Sequence, residues 1–251
     1  MSKYSIEQST LDRLAKLAQT LGGATDKLTP EEMIEQLEKR IADDKAFYER
    51  DANATFVNPY ITYLAYRLFN TDSRLVSIDC PNVEIIDTQA VRYCTELTSI
   101  NFPKVKTLRS GAFYGPNKIT ELKLDALVSA ESSAFRAMPL IVNVKLPNLQ
   151  TLGSTTFAEC SSLESVEFPS LQSMGSEVFK GSDNLKRIVL PGDTVVSFEG
   201  NGALFLGAGV VPDGFEGIYV KDAFVEEYKV ATNWAAYADY IKPISEMEVT
   251  A

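Results

Sequence analysis

The stretch that decides the fold is LTSINFPKVKTLRSGAF, residues 97–113, because its apolar pattern recurs at a fixed period along the chain. Steps of 22 residues place an aliphatic residue at Leu75, Leu97, Ile119, Ile141, Leu163 and Leu185. The fourth and sixth positions of these six frames are apolar, and the seventh is proline in five of them. Position seventeen is phenylalanine in four frames, at Phe113, Phe135, Phe157 and Phe179. A period held over six frames predicts a solenoid of stacked coils.

Each frame also predicts a short β-strand. Side chains alternate along a strand, so positions four and six share one face, and the following proline ends the strand because it has no N–H to donate. The rest of the frame turns the chain back, with the phenylalanine buried on the far side. We therefore predict a leucine-rich-repeat solenoid of six 22-residue coils at residues 75–196. Short strands alternate with turns or short helices, and the ends carry caps because the terminal coils have no covering neighbour.

Composition limits the chemistry that the chain can perform. The 24 Lys and Arg residues stand against 34 Asp and Glu, and the resulting net charge of −10 disfavours nucleic acid as a partner. The chain has no histidine, so a Ser-His-Asp triad or a histidine metal site is excluded. We predict a protein that is not an enzyme, has no cofactor and no metal, and does not insert into a membrane, since it lacks an apolar run of about 18 residues.

The cysteines are interpreted as core residues. Cys94 and Cys160 both occupy position twenty, and Cys80 occupies the buried position six. Three coils separate the first two, which corresponds to about 14 Å at the spacing of paired strands. A disulfide needs Cα atoms within about 7 Å, so we predict no bridge, and we favour a packing role over a redox or metal site.

Residues 1–52 predict a helical segment for attachment or oligomerisation. Ser5-Ile6-Glu7-Gln8 has the form of a capping box, and Thr29-Pro30 begins a second helix. The apolar stripes that follow supply the candidate contacts Leu11, Leu14, Leu21, Met33, Ile34, Leu37 and Ile41. A third helix, predicted to begin at Asn58-Pro59 and to reach Phe69, would make residues 53–74 a helical N-terminal cap over the first coil.

Residues 197–251 lose the period and predict a C-terminal cap of mixed α/β structure. The expected elements are a strand at Gly217–Val220 and helices near Ala223–Ala231 and Trp234–Ile241, with Pro243 ending the second.

A solenoid usually presents ligands with the outward side chains of its strands, which here are positions three and five. The candidate ligand-binding residues are Asp79, Asn101, Glu121, Lys123, Asn143, Lys145, Glu167 and Arg187. The face is polar, of mixed sign and nearly free of the aromatic residues that binding hot spots favour. An ordinary solvated sheet therefore remains the alternative interpretation.

The repeat resembles a known family. LTSINFPKVKTLRSGAF (97–113) and LESVEFPSLQSMGSEVF (163–179) are similar to the BspA-type leucine-rich repeats of bacterial surface proteins, in which position twenty is often cysteine. IYVKDAFVEEYKVATNWAAYADYIKPIS, residues 218–245, looks like the cap that closes such repeats. The resemblance covers residues 75–245, and it implies adhesion to a host protein or glycan through the solenoid surface.

The N-terminal segment resembles a different group. Leu21-Gly22-Gly23 and TDKLTPEEM, residues 25–33, are similar to a short helical module of phage and prophage structural proteins. That resemblance implies a virion protein of the tail, baseplate or capsid surface, bound through residues 1–52 to other virion proteins or to copies of itself. Such a protein is made in the bacterial cytoplasm and needs no signal peptide, and MSKYSIEQST lacks the apolar core of one. The alternative is a bacterial leucine-rich-repeat binding module or adhesin unrelated to a virion.

Overall fold

The computed structural model describes residues 54–247. The chain divides into two units, Met1–Ala54 and Thr55–Ala251, and the description below concerns the second. The helices predicted for residues 1–52, with their apolar stripes, lie outside the described residues.

Short parallel strands account for most of the regular structure between residues 54 and 247. In chain order they are β1 (Ala54–Val57), β2 (Tyr63–Leu64), β3 (Leu75–Asp79), β4 (Ile85–Ile86), β5 (Ser99–Asn101), β6 (Thr107–Leu108), β7 (Ser129–Ala130), β8 (Asn143–Lys145), β9 (Thr151–Leu152), β10 (Ser165–Glu167), β11 (Ser173–Met174), β12 (Arg187–Leu190), β13 (Ser197–Phe198), β14 (Gly217–Val220) and β15 (Ile241–Pro243). The helix α1 spans Val225–Val230, and 3₁₀ turns span Asp222–Phe224, Ala235–Tyr240 and Ile244–Glu246.

The strands form three parallel sheets that follow the solenoid axis. The first sheet has the order β1-β3-β5, the second β8-β10-β12-β14-β15, and the third β2-β4-β6-β7-β9-β11-β13. Paired residues within the repeats are 22 apart, as in Ile78 with Ile100 and Val144 with Val166. This register confirms the predicted leucine-rich-repeat solenoid. The third sheet, at positions eleven and twelve, lies where the sequence predicted only turns.

The core lies between the sheets and is closed by the phenylalanine column at position seventeen. Phe113, Phe135, Phe157 and Phe179 are fully buried, and their rings stack in sequence with centroid distances of 6.0, 5.1 and 6.3 Å. The prediction that these rings fill the far side of each coil is confirmed. Because each ring touches the next, the column joins successive coils as well as filling them.

Residues 54–74 form another coil, so the helix predicted to begin at Asn58-Pro59 is wrong. Strand β1 joins the first sheet beside β3, and Leu64 of β2 pairs with Ile86. The backbone N–H of Asn58 donates to the carbonyl of Asp79 at 2.9 Å. One further step of 22 residues toward the N-terminus places Phe56, Pro59, Leu64 and Phe69 at positions four, seven, twelve and seventeen. The residue before a proline disfavours helical backbone, and packing on the next coil decides the outcome.

The ladder at positions three to five is interrupted in one coil. Residues 117–124 contain no strand, and this gap separates the first sheet from the second. Leu122 and Leu124 remain buried, so the core continues beneath the gap. This coil is also the one whose seventh position is Asp125 and not proline.

Two tight turns recur in each coil at positions fifteen and nineteen, where the backbone has positive φ. The residues are Arg67, Gln89, Gly111, Ser133, Thr155 and Glu177 at the first turn, and Thr71, Tyr93, Gly115, Ala137, Glu159 and Gly181 at the second. The N–H groups of all these residues except Gly181 donate to carbonyls of the next coil, as from Tyr93 to Tyr114 at 2.8 Å. These bonds between coils offset the strain of a left-handed conformation at residues other than glycine.

The C-terminal end continues the solenoid with longer coils. The predicted strand at Gly217–Val220 is confirmed as β14, whose Ile218 pairs with Ile188. The two predicted helices are present as Asp222–Val230, a 3₁₀ turn followed by α1, and as the 3₁₀ segment Ala235–Tyr240. Trp234 covers the core and donates from Nε1 to the carbonyl of Val196 at 2.7 Å.

Candidate ligand-binding surfaces

The strand face, defined as the outward side chains at positions three and five, divides into separate groups. Strands β8, β10 and β12 bring together Asn143, Lys145, Glu167 and Arg187. Asp79 and Asn101 lie opposite each other on β3 and β5 of the other sheet. Glu121 and Lys123 lie in the coil without a strand. The structure therefore does not assemble the eight predicted residues into one site.

Most charges on the strand face already have partners. Asn101 donates to Asp79 at 2.7 Å, and Lys145 lies 2.7 Å from Glu167. Equivalent ion pairs join Lys123 to Glu121 at 2.9 Å and Arg187 to Glu216 at 2.8 Å. Exposed pairs of this kind contribute roughly 0–1 kcal/mol each. A ligand on this face would have to compete with them, which favours the solvated-sheet interpretation for much of the face.

One recess interrupts this face near its C-terminal end. It has a volume of about 220 Å³, and its lining includes Asn143, Glu167 and Arg187 together with Val189 and Met247. Three predicted residues thus share a concave surface. The sequence could not indicate this recess, because Met247 lies outside the repeat.

A larger concavity lies on the third sheet, and we name it the hydroxyl groove. Its volume is about 460 Å³, and its lining is rich in small hydroxylated residues from positions eleven and fourteen: Ser110, Ser129, Ser132, Thr151, Ser154 and Ser173. Thr151 donates from Oγ1 to Ser129 at 2.7 Å. Glu131 and Glu199 also line the groove. The column of serine and threonine residues can be seen in the sequence. Its position along a groove can be recognised only once position eleven is known to be a strand.

Glycines hold the floor of the hydroxyl groove close to the neighbouring coil. A Cβ on Gly153 would lie 2.4 Å from the backbone nitrogen of Ser132 and 2.6 Å from the carbonyl carbon of Glu131. A Cβ on Gly175 would lie 2.5 Å from Oγ of Ser154. Glycine is therefore required where these coils approach each other.

The same side of the solenoid carries a fixed carboxylate at Asp87. Burial raises the pKa of Asp87. This effect is outweighed by a hydrogen bond from the Tyr63 hydroxyl, another from the Thr88 N–H and the nearby Arg109 guanidinium, so the pKa lies below its ordinary value. Arg109 donates to Asp87 at 3.2 Å, and Thr88 does so at 2.7 Å. Asp87 is therefore an ionised structural acceptor at neutral pH and is poorly suited to exchange protons.

The cysteines at position twenty act as hydrogen-bond donors inside the core. Cys94 donates from Sγ to the carbonyl of Phe69 at 3.1 Å, and Cys160 donates to Phe135 at 3.3 Å. Ser182, at the same position, donates to Phe157 at 2.7 Å. Each thiol or hydroxyl therefore satisfies the carbonyl of the preceding coil's phenylalanine. The predicted core placement is confirmed, and the three cysteines are free and buried.

Buried cysteines should be unreactive in the folded protein. Burial raises the pKa of Cys80, Cys94 and Cys160 to about 12. At pH 8, which lies below that value, the thiols stay protonated, and the thiolate is the nucleophile. Titration with a disulfide reagent such as DTNB should label none of the three in native buffer and all of them in concentrated urea. Rapid labelling in native buffer would contradict this placement.

Within residues 54–247, no three His, Cys, Asp or Glu side chains are grouped as metal ligands would be. The helices in this part of the chain are not long and apolar enough to cross a membrane.

The parallel ladders, the 22-residue register and the phenylalanine column define a leucine-rich-repeat solenoid. Residues 39–154 and 128–201 match the model of the BspA type leucine-rich repeat region. The chain therefore belongs to the BspA-type leucine-rich-repeat family. The match begins upstream of residue 75, in agreement with the additional coil at residues 54–74.

Solved structures share this fold. A leucine-rich repeat protein of T. pallidum is similar with 23% identity and a TM-score of 0.55 over 66% of this chain and 80% of that chain. A leucine rich cell surface protein of Faecalibacterium prausnitzii is similar with 21% identity and a TM-score of 0.51. That match covers 72% of this chain and 47% of the longer protein. No match was found among curated protein sequences.

Proposed function

We propose that this chain is a non-enzymatic binding protein whose repeat surface binds a protein or glycan of a host cell surface. The hydroxyl groove, with its volume of about 460 Å³, is the observation that carries the proposal. It offers a concave row of hydrogen-bonding groups on a rigid ladder. The family membership supports a binding role, since solenoids use such extended surfaces for recognition.

The groove suits an extended ligand better than a compact one. Its lining residues come from successive coils, so the row runs along the solenoid axis. Serine and threonine hydroxyls both donate and accept hydrogen bonds, which suits hydroxyl-rich or amide-rich ligands. Glu131 already accepts from the N–H and the hydroxyl of Ser110, each at 3.0 Å, and is therefore held in place before binding.

Filling the groove should abolish binding. Thr151→Tyr places a phenol ring among the lining residues, and we expect affinity to fall on the order of tenfold or more because of the steric clash. The measurement is binding of the full chain to a panel of immobilised glycans and purified extracellular-matrix proteins. Thr120→Tyr makes the same chemical change at an exposed position outside the groove and should bind normally. Equal binding by both variants would contradict the role of the groove.

For the cellular context, we propose a virion protein of the phage tail, baseplate or capsid surface, with the repeats directed toward the host. Residues 1–52 would bind other virion proteins or copies of the same chain. Support comes from the resemblance of residues 21–33 to phage structural modules. The alternative is an adhesin or binding module of the bacterium itself.

Fractionation separates these two contexts. Phage particles induced from the bacterium that carries the gene can be purified on a density gradient and analysed by mass spectrometry. A virion protein should sediment with the particles, and deletion of residues 1–52 should remove it from them. Recovery of the full chain only with the bacterial envelope or cytosol would contradict the virion proposal and favour the alternative.

A further inference from the structure

Arginine and tyrosine side chains cluster on the corner that follows the buried phenylalanine of each coil. We name this cluster the Arg–Tyr corner and define it as Arg92, Tyr93, Tyr114, Arg136 and Glu159. These residues occupy positions eighteen and nineteen of four successive coils. They belong neither to the strand face nor to the hydroxyl groove. Arginine and tyrosine are enriched at binding hot spots, whereas the strand face of the six repeats carries one arginine, Arg187, and no aromatic residue.

The side chains of the Arg–Tyr corner are stacked. The guanidinium carbon of Arg92 lies 4.5 Å from the ring centroid of Tyr93 and 5.1 Å from that of Tyr114. The guanidinium carbon of Arg136 lies 5.3 Å from the same Tyr114 ring. The two tyrosine centroids are 5.3 Å apart. Both cations are thus held against aromatic rings, an arrangement that fixes their positions before a ligand arrives.

Backbone geometry preserves this arrangement. Tyr93 has a φ of 55°, and its ring lies against Gly115 of the next coil. A Cβ on Gly115 would lie 2.4 Å from Cδ1 of Tyr93, so any other residue at Gly115 would displace the ring. The Tyr93 ring therefore fits against the next coil only because Gly115 has no side chain.

The corner holds two arginines against one carboxylate, Glu159, although the whole chain carries a net charge of −10. A hydrogen bond from Tyr114, together with the nearby Arg92 and Arg136, holds the pKa of Tyr93 below its ordinary value. Glu159 pairs with Arg136 at 2.5 Å. Within residues 54–247, Arg92 forms no ion pair with a carboxylate, and the Nε atoms of Arg92 and Arg136 are buried without a hydrogen-bond partner. One positive charge is left unneutralised.

We propose that the Arg–Tyr corner binds the carboxylates of an acidic polysaccharide of the uronic-acid type. This deepens the proposed binding function and rests on it. Guanidinium groups match carboxylates through paired N–H donors. The two guanidiniums cover the Tyr114 ring, so the tyrosines contribute their hydroxyls, which can donate to and accept from the hydroxyl groups of a sugar. Arg92 and Arg136 belong to coils two steps apart, about 10 Å along the ladder, which is close to the repeat of a disaccharide.

The backbone of the corner favours a sugar over an acidic peptide. The N–H of Tyr93 donates to Tyr114 at 2.8 Å, and the N–H of Gly115 donates to Arg136 at 2.9 Å. Ala137 donates in the same way to Ala158 at 2.8 Å. These donors are used between coils, so an extended peptide cannot add itself as a strand here. Recognition must occur through side chains, which suits a ligand with regularly spaced charges.

The test uses fluorescein-labelled polygalacturonate oligosaccharides, titrated with the full chain at low salt and followed by fluorescence anisotropy. The double variant Arg92→Gln/Arg136→Gln should bind about tenfold or more weakly, because it loses charge-assisted hydrogen bonds. Glu159→Gln should bind severalfold more tightly, since it frees Arg136 from its internal partner. Lys180→Gln is the matched control: Lys180 also occupies position eighteen but pairs with Glu177 at 2.8 Å. Circular dichroism verifies that every variant is folded.

Neutral dextran and poly-L-glutamate serve as comparison probes. The proposal predicts no binding of dextran and weaker binding of poly-L-glutamate than of polygalacturonate. It is overturned if polygalacturonate does not bind, if the double variant binds like the wild type, or if poly-L-glutamate binds equally well. Failure of the general binding function has a separate signature. In that case the wild type would bind nothing on the glycan and matrix-protein panel, whereas panel binding unaffected by the double variant would overturn the corner alone.

Discussion

Replacing Phe157 by alanine should lower the free energy of unfolding by about 3–5 kcal/mol. The side chain is fully buried, and its ring lies 5.1 Å from Phe135, 5.9 Å from Phe168 and 6.3 Å from Phe179. Alanine would leave a cavity at the point where three neighbouring coils meet, and the stacked coils can collapse into it only partly. The measurement is urea-induced unfolding followed by circular dichroism.

Tyr60→Ala supplies the control for Phe157→Ala. Tyr60 is 66% exposed, so its truncation should change the free energy of unfolding by no more than about 0.5 kcal/mol. A loss below about 1 kcal/mol for Phe157→Ala would show that the phenylalanine column does not hold the coils together.

Gly153→Ala should lower the free energy of unfolding nearly as much as Phe157→Ala, although it adds only one methyl group. The new Cβ would lie 2.4 Å from the backbone nitrogen of Ser132, and backbone atoms cannot move aside without separating two coils. Overpacking typically costs about 1–3 kcal/mol and occasionally more, and we expect the upper end of that range. The substitution also alters the floor of the hydroxyl groove, so binding to the ligand panel should weaken in the molecules that remain folded.

The control for Gly153→Ala is Gly207→Ala. There the added Cβ would meet Cγ2 of Val210 at 3.3 Å, and an exposed side chain can shift. Gly153→Ala should unfold at a clearly lower temperature than Gly207→Ala. If Gly153→Ala unfolds at the same temperature as Gly207→Ala, the close approach of the coils at Ser132 does not constrain the structure.

The 22-residue repeat can be predicted from the sequence because every coil needs apolar residues at the same interior positions. Ile78 faces the same interior as Val144 and Val166, so the same requirement returns every 22 residues. The C-terminal strand Gly217–Val220 was predictable for a related reason, since a short apolar segment beside turn residues has few other uses. The fold therefore follows from positions that all coils share.

The coil at residues 54–74 is mistaken for a helix because the local spacing of its tyrosines competes with the 22-residue period. Tyr60, Tyr63 and Tyr66 recur every three residues, which resembles a helical stripe. The register of Phe56 and Pro59 with the later repeats was the stronger signal, although position one of this frame is Asn53 and not an aliphatic residue. Long-range pairing outweighed the local pattern.

The candidate surfaces were less predictable because they use positions that differ from coil to coil. Thr151 and Ser129 line a groove only because position eleven forms a strand with its side chains outward. Arg92 and Tyr114 meet because left-handed turns and Gly115 bring the corners together. None of these features follows from apolar periodicity, which reports on the interior and not on the surface.

The proposed function places the ligand on the repeat surface and not on a terminal segment. Hydrogen–deuterium exchange tests it most directly, by comparing the full chain alone with the chain saturated by the tightest ligand of the panel. We expect slower exchange in peptides covering residues 92–93, 114–115 and 136–137 for an acidic polysaccharide, or 129–132 and 151–154 for a ligand of the hydroxyl groove. Slower exchange confined to residues after 204, with none in the repeats, would contradict it.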